Sequence, residues 1–145
     1  MKTMNDNFVT NSYGINDLEI GESAAYSQTI TDADIKAFAG ISGDNNPVHM
    51  DDEYASNSRY KKRIAHGLLS ASFFSALFGT KLPGYGCVYV SQNLNFKRPI
   101  YLGDTVVAKI TVISIDYDKK RVKFETTCTV RKKIVIEGFA EIFIP

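Results

Sequence analysis

The sequence predicts an α+β fold in which an antiparallel sheet packs on one buried helix. Three observations point there. The segment from Ile64 to Gly79 holds good helix formers, no proline, and apolar residues on nearly every face. Residues 86–144 contain four runs of alternating apolar side chains, the pattern of half-buried strands. Short polar turns separate the last three runs, which favours antiparallel neighbours. A length of 145 residues suits one domain with its own core.

The elements follow in order. Residues 1–12 are polar and are expected to fray. Residues 24–30 alternate as a short strand. Thr31 stands three residues before Asp34, a capping-box spacing with Asp in place of Glu. Ile35, Phe38 and Ile41 then fall at helical spacing, so a helix is expected over about 32–40. Residues 42–50, rich in Gly and Asn with one Pro, read as a shaped turn. Asp51 can cap a short helix near 52–57. The stretch Asn57–Arg63 is polar, basic and expected to be exposed.

The long helix follows, with Gly79 as its expected stop. Its apolar surround predicts burial on most sides. Strands are expected over 86–97, 104–115, 121–131 and 133–144, with turns at 116–120 and 131–133. Phe139 and Phe143 have the opposite parity to Ile142 and Ile144. The second sheet face therefore carries apolar side chains too, which dimerisation would bury.

Composition excludes several classes. Seventeen basic against sixteen acidic side chains give a net charge of +1, without the bulk positive charge of a nucleic-acid binder. The two cysteines, Cys87 and Cys128, form no Cys-x-x-Cys, so they are expected as free thiols in a reducing compartment. No apolar run reaches the ~20 residues of a membrane helix, and residues 1–12 lack a signal-peptide core. A cytoplasmic protein with no membrane or nucleic-acid partner is the expectation. Only His49 and His66 can carry imidazole chemistry.

The dense site is Gly43-Asp44-Asn45-Asn46-Pro47-Val48-His49, joined by His66-Gly67 at the start of the long helix. Asn46-Pro47 disfavours a continuous helix, so a turn can bring Asp44 and His49 to one cleft. A carboxylate and an imidazole aimed at one point suit a reaction that moves protons to and from water. The first N–H groups of the helix have no intrahelical partner. Gly67 lets a carbonyl approach its N–H closely, which makes an oxyanion site. Plainer readings stand beside these: Asp44 as a turn residue, His49 as an ordinary histidine, His66 as a hydrogen-bonding residue before a helix. A zinc site of Asp44, His49 and His66 has suitable ligand types but no recognised spacing.

Ser42-Gly43-Asp44-Asn45-Asn46-Pro47-Val48-His49-Met50-Asp51 with Ile64-Ala65-His66-Gly67-Leu68-Leu69-Ser70 resembles the signature of the MaoC-like (R)-specific enoyl-CoA hydratases. These are the small hot-dog hydratases that feed polyhydroxyalkanoate synthesis. The likeness continues through Leu82–Gly86 and Leu94–Asp104 and covers about residues 20–144. It implies a hot-dog fold, a curved antiparallel sheet wrapped around a long central helix, forming one domain over 1–145 and usually a homodimer. It also implies reversible syn addition of water to a trans-2-enoyl thioester, giving the (R)-3-hydroxyacyl thioester. Asp44 and His49 would be the catalytic pair, either one the base. Asn46 would orient the pair, the Gly67 N–H would polarise the thioester carbonyl, and Ser75 would support the site from further along the helix. The resemblance implies no metal and no separate cofactor, since CoA belongs to the substrate. Arg59, Lys61, Lys62, Arg63, Lys97 and Arg98 are the candidates to attract CoA phosphates. Phe74, Phe78 and Leu82 are expected to narrow the acyl pocket and favour short chains. Two departures are visible: Arg63 where the family commonly has proline, and Tyr60 where it often has phenylalanine. Competing readings are a non-catalytic acyl-CoA-binding subunit and a hot-dog acyl thioesterase. Mere binding would not require the Asp44–His49 pair.

Overall fold

The computed structural model describes residues 12–145. The expectation for the first residues therefore lies mostly outside the described part; Ser12 itself bridges to Gly84. Strand β1 (Ser23–Thr29) leads into helix α1 (Asp32–Ser42). Two short helices follow, α2 (Pro47–Met50) and α3 (Asp52–Ser56). The long helix α4 (Gly67–Thr80) comes next. Strands β2 (Val88–Gln92), β3 (Asn95–Phe96), β4 (Thr105–Asp116), β5 (Arg121–Val130) and β6 (Lys133–Phe143) complete the chain.

The sheet order is β1-β4-β5-β6-β2, with β3 also on β6, and every pairing is antiparallel. This is the predicted α+β arrangement. The hairpins use the polar turns expected of them. Lys120 closes β4–β5, and Arg131 with Lys132, both at positive φ, closes β5–β6.

Helix α4 packs against one face of the sheet. Its Leu69, Phe73, Phe74, Leu77 and Phe78 meet Val106, Ile110, Val122, Phe124, Ala140 and Ile142 in one buried cluster. Phe78 and Phe124 meet edge-on at 4.8 Å. Truncating Phe74 or Phe124 to alanine there removes about 3–5 kcal/mol of stability. The strict alternation of β4 and β5 holds nearly throughout. A register shift between Cys128 and Thr129 breaks it on β6, where Val135 is buried and Ile134 is only half-buried.

Several expectations need correction. Helix α1 runs to Ser42 and is stopped by Gly43 at φ 80°, and Ile41 is 88% exposed rather than part of the apolar face. Residues 47–50 of the expected turn make a helical turn. Gly79 does not stop α4, which continues to Thr80 with Lys81 as its cap. Nor is α4 covered on most sides within one chain. Leu68, Ser72, Ser75 and Ala76, spaced as one helical stripe, are exposed. The single run expected over 86–97 is two strands parted at Asn93, whose Oδ1 accepts from Phe139 N at 2.6 Å. Cys87 and Cys128 are both free thiols, the second fully buried. Among the described residues, no helix is long and apolar enough to cross a membrane.

Candidate active site

The site is assembled by the turn between α1 and α2 and by the start of α4. Asn46 caps α2: its Oδ1 accepts from Val48 N at 3.2 Å, and Pro47 takes the first helical position. The Asn46 N–H in turn donates to Asp44 Oδ1 at 3.2 Å. This local geometry lifts Asp44 to the rim, with half of its side chain exposed, and turns His49 inward. Asp44 Oδ2 and His49 Nε2 face each other at 3.9 Å.

His49 is held through its other nitrogen. Nδ1 lies 2.7 Å from the Ile64 carbonyl, an acceptor only, so Nδ1 carries the proton in that bond. In the neutral ring, Nε2 is then the bare nitrogen facing Asp44. Burial lowers the His49 pKa below the ordinary histidine value. The Ile64 carbonyl opposes this, the neighbouring His66 adds to the lowering, and the Asp44 carboxylate pulls the other way. The net effect keeps His49 neutral near pH 7.

His66 precedes α4 but makes no side-chain bond to that helix. Its Nε2 donates instead to the Asp44 carbonyl at 2.9 Å. Its ring lies between His49, 4.0 Å away, and Phe38, 4.8 Å away. Gly67 opens α4, so its N–H lacks an intrahelical acceptor. The Phe96 ring lies directly over Gly67, so close that a Cβ there would come within 2.5 Å of it.

These residues share one cleft of about 490 Å³, the size of a small-molecule site. Phe38, Ile64, Leu68, Phe96, Ile100 and Ile136 supply its apolar wall, and Arg59, Lys97 and Arg98 also line it. Asp44, His49 and His66 each bring one ligating atom within 4.8 Å of the others. A zinc ion would need them closer, at about 3.4 Å apart in a tetrahedral set. The His66 Nε2–H and the His49 Nδ1–H are already committed to carbonyls.

The MaoC like domain family matches residues 17–138 of the chain. This chain belongs to that family. Among curated relatives, an (R)-specific enoyl-CoA hydratase of Rhodospirillum rubrum is 51% identical over 89% of this chain and 90% of its own length. A 3-hydroxybutyryl-CoA dehydratase of Methylorubrum extorquens is 40% identical over 89% of this chain and 82% of its own length. Among solved structures, an (R)-hydratase of Aeromonas caviae involved in PHA biosynthesis superposes with a TM-score of 0.86 at 36% identity, over 88% of this chain and 98% of that one. The architecture is thus the hot-dog fold of the MaoC-like hydratases, as expected.

Within this MaoC-like frame the structure sorts the candidate residues. Asp44, Asn46, His49 and Gly67 come together. Ser75 does not join them; it lies on the exposed stripe of α4. Phe74, Phe78 and Leu82 are buried in the core and do not line the cleft: α4 turns the two phenylalanines to the sheet, and Leu82, just past its end, joins the same cluster. The basic residues divide. Arg59, Lys97 and Arg98 line the cleft, whereas Lys61 and Lys62 line a separate depression with Asp32 and Asp52. Arg63 is buried, paired with Asp32 and bonded to the His49 carbonyl, and so is not free for a phosphate. Sequence reasoning placed His66 beside Gly67 but did not foresee its bond to the Asp44 carbonyl, and it missed Phe38, Leu68 and Phe96 as the wall of the cleft. The helical phase of Phe38 and the place of His66 beside Gly67 were the available signals.

Proposed function

We propose that this chain, acting as one domain over residues 1–145, is an (R)-specific enoyl-CoA hydratase. It adds water reversibly and syn across a trans-2-enoyl-CoA to give the (R)-3-hydroxyacyl-CoA. The carrying observation is the Asp44–His49 pair, 3.9 Å apart beside the open N–H of Gly67. A water bonded at about 2.8 Å to both side chains would see them at an angle of about 90°, close enough to hydrogen-bond both.

The chemistry follows from the tautomer. His49 Nε2 accepts one proton of that water while the other stays bonded to Asp44. The water oxygen attacks Cβ as its own O–H bond breaks and that proton passes to His49 Nε2. Negative charge moves to the thioester oxygen, where the Gly67 N–H and the start of α4 stabilise it. His49 then returns its proton to Cα on the same face. The sum is addition of one water, with no redox change. Asn46 and the Asp44 carbonyl contact of His66 hold the pair in place.

The apolar wall of Phe38, Leu68 and Phe96 suits the acyl chain. Arg59, Lys97 and Arg98 suit the phosphates of CoA. The outer edge of β2 and the exposed Leu68, Val88, Val90 and Phe96 suit a homodimer, in which the α4 stripe carrying Ser75 would be covered. Sedimentation at low concentration tests that state, and a monomer would refute it. Free Cys87 and Cys128 suit a reducing compartment such as the cytoplasm.

The deciding experiment is hydration of crotonyl-CoA with chiral analysis of the product. (R)-product is expected, with kcat losses of about 10²–10⁴ in Asp44→Asn and in His49→Gln. Full activity in either folded variant would remove that residue from the mechanism, and (S)-product would refute the reading.

A further inference from the structure

Arg63 is buried, yet it sits in the basic stretch where exposure was expected. Its guanidinium spans two partners. Nε donates to the His49 carbonyl at 2.6 Å, and a terminal nitrogen donates to Asp32 Oδ1 at 2.6 Å. Asp32 lies in the first turn of α1, where Lys36 shares its carboxylate at 2.8 Å.

Among the described residues, Arg63 Nε is the donor that reaches the His49 carbonyl. A helical donor would be the N–H of Glu53, four residues on, but that group is committed to Asp51 Oδ1 at 2.9 Å. The neighbouring residue, Ile64, makes two further bonds to the same turn. Its N–H donates to the Val48 carbonyl at 3.2 Å, and its carbonyl accepts the Nδ1–H of the His49 ring at 2.7 Å. Residues 63 and 64 therefore hold residues 48 and 49 by three bonds. Arg63 alone ties this hold to α1 through a charged pair.

We propose that Arg63, anchored by Asp32, is a positioning residue that fixes the His49 imidazole for proton transfer. It is not among the residues lining the cleft and acts through the His49 backbone. It fixes the backbone of His49, so that the Nδ1–H stays on the Ile64 carbonyl and Nε2 stays aimed at Asp44. A carbonyl left buried without a donor would instead draw the turn toward solvent. The proposal rests on His49 acting as the proton carrier in the hydratase reading above.

The test uses the full chain and two kinds of readout. Arg63→Met keeps the apolar stem and removes the fork. It is expected to lower kcat for crotonyl-CoA about 10- to 100-fold, the range for a misplaced reacting group, with KM changed by less than about twofold. Arg63→Lys, with one ammonium in place of the fork, should recover part of that loss. Independently of turnover, the ring nitrogens of the two histidines are read by ¹⁵N NMR. Wild type should show His49 protonated at Nδ1 near pH 7, and Arg63→Met should show mixed tautomers. Unchanged kcat and an unchanged His49 tautomer in folded Arg63→Met would overturn the proposal. If that variant fails to fold, Asp32→Asn decides: a kcat equal to wild type would overturn it, and a fall in kcat at constant KM would support it. An inactive wild type with the Nδ1 tautomer intact would instead count against the hydratase reading.

Discussion

The imidazoles of His49 and His66 stack at 4.0 Å between centroids, with their planes tilted by 33°. The two rings differ in what they hold. His49 keeps its proton on the Ile64 carbonyl and presents Nε2 to Asp44. His66 spends Nε2 on the Asp44 backbone, and its buried Nδ1 has no hydrogen-bond partner among the described residues. The contact thus couples the candidate base to the backbone of its acidic partner. It also discourages a positive charge on His49.

That coupling predicts a pH effect. In the proposed reaction His49 acts when neutral, and burial first, with His66 as a further cause, lowers its pKa below the ordinary value. The acid limb of kcat/KM against pH in wild type should therefore lie below about 6.5. His66→Phe keeps a ring in the stack and removes the imidazole that disfavours charge on His49, so the limb should move up. A limb that stays put would show that His66 does not tune His49. The same shift has a sign for stability. A histidine whose folded pKa is depressed contributes stability that is complete above its unfolded value near 6.5 and is lost as pH falls through the folded value. Urea melts across that window should show the loss in wild type and less of it in His49→Gln.

Gly67→Ala probes the start of α4. The new Cβ would lie 2.5 Å from Phe96 Cε1, the far end of a half-exposed side chain that can swing aside. The variant should fold with nearly wild-type melting. Hydration should still fall by about tenfold or more, because the methyl group crowds the N–H that the proposed reaction offers to the thioester carbonyl. Adding Phe96→Ala relieves the ring contact and should not restore kcat. Recovery in the double variant would place the defect in the ring instead.

The sequence made some of this arrangement legible and hid the rest, for physical reasons. The Thr31–Asp34 capping box, the Asp51 cap and the strands β4 and β5 form where expected, because local hydrogen bonding and period-2 burial determine them. Gly79 and Ile41 misled because a lone glycine or an apolar residue at helical spacing acquires meaning only from what packs beside it. The same holds for Phe74, Phe78 and Leu82. Their apolar character fits a core and an acyl pocket equally well, and the rotation of α4 against the sheet decides for the core. Arg63 reads as one more cation in a basic stretch; only the approach of α1 reveals its partner, Asp32, 31 residues away.

The cysteines give a chemical check on packing. Burial pushes the Cys128 thiol up to about 12, and burial also raises that of Cys87. Neither presents thiolate near neutral pH, so native protein should react with a disulfide reagent far more slowly than denatured protein. Rapid native labelling of Cys128 would show that the β5–α4 packing opens readily.

Gly138 carries the clearest stability prediction. It lies on β6 opposite Thr126 of β5, and a Cβ there would lie 1.9 Å from the Asn93 carbonyl oxygen. That oxygen belongs to backbone and cannot move alone. Asn93 is pinned to Phe139 twice, by its N–H on the Phe139 carbonyl at 3.0 Å and by its Oδ1 accepting from the Phe139 N–H at 2.6 Å. Relieving the clash would break this link where β2 and β3 part. Gly138→Ala should therefore cost about 1–3 kcal/mol or more, as overpacking against fixed atoms does. Gly40→Ala is the matched control: it lies in α1, where a Cβ meets nothing within 4 Å. It should stabilise by about 0.4–1 kcal/mol through helix propensity and chain entropy. Equal melting of the two variants in urea would mean that the Asn93 segment yields, contrary to the two bonds that hold it.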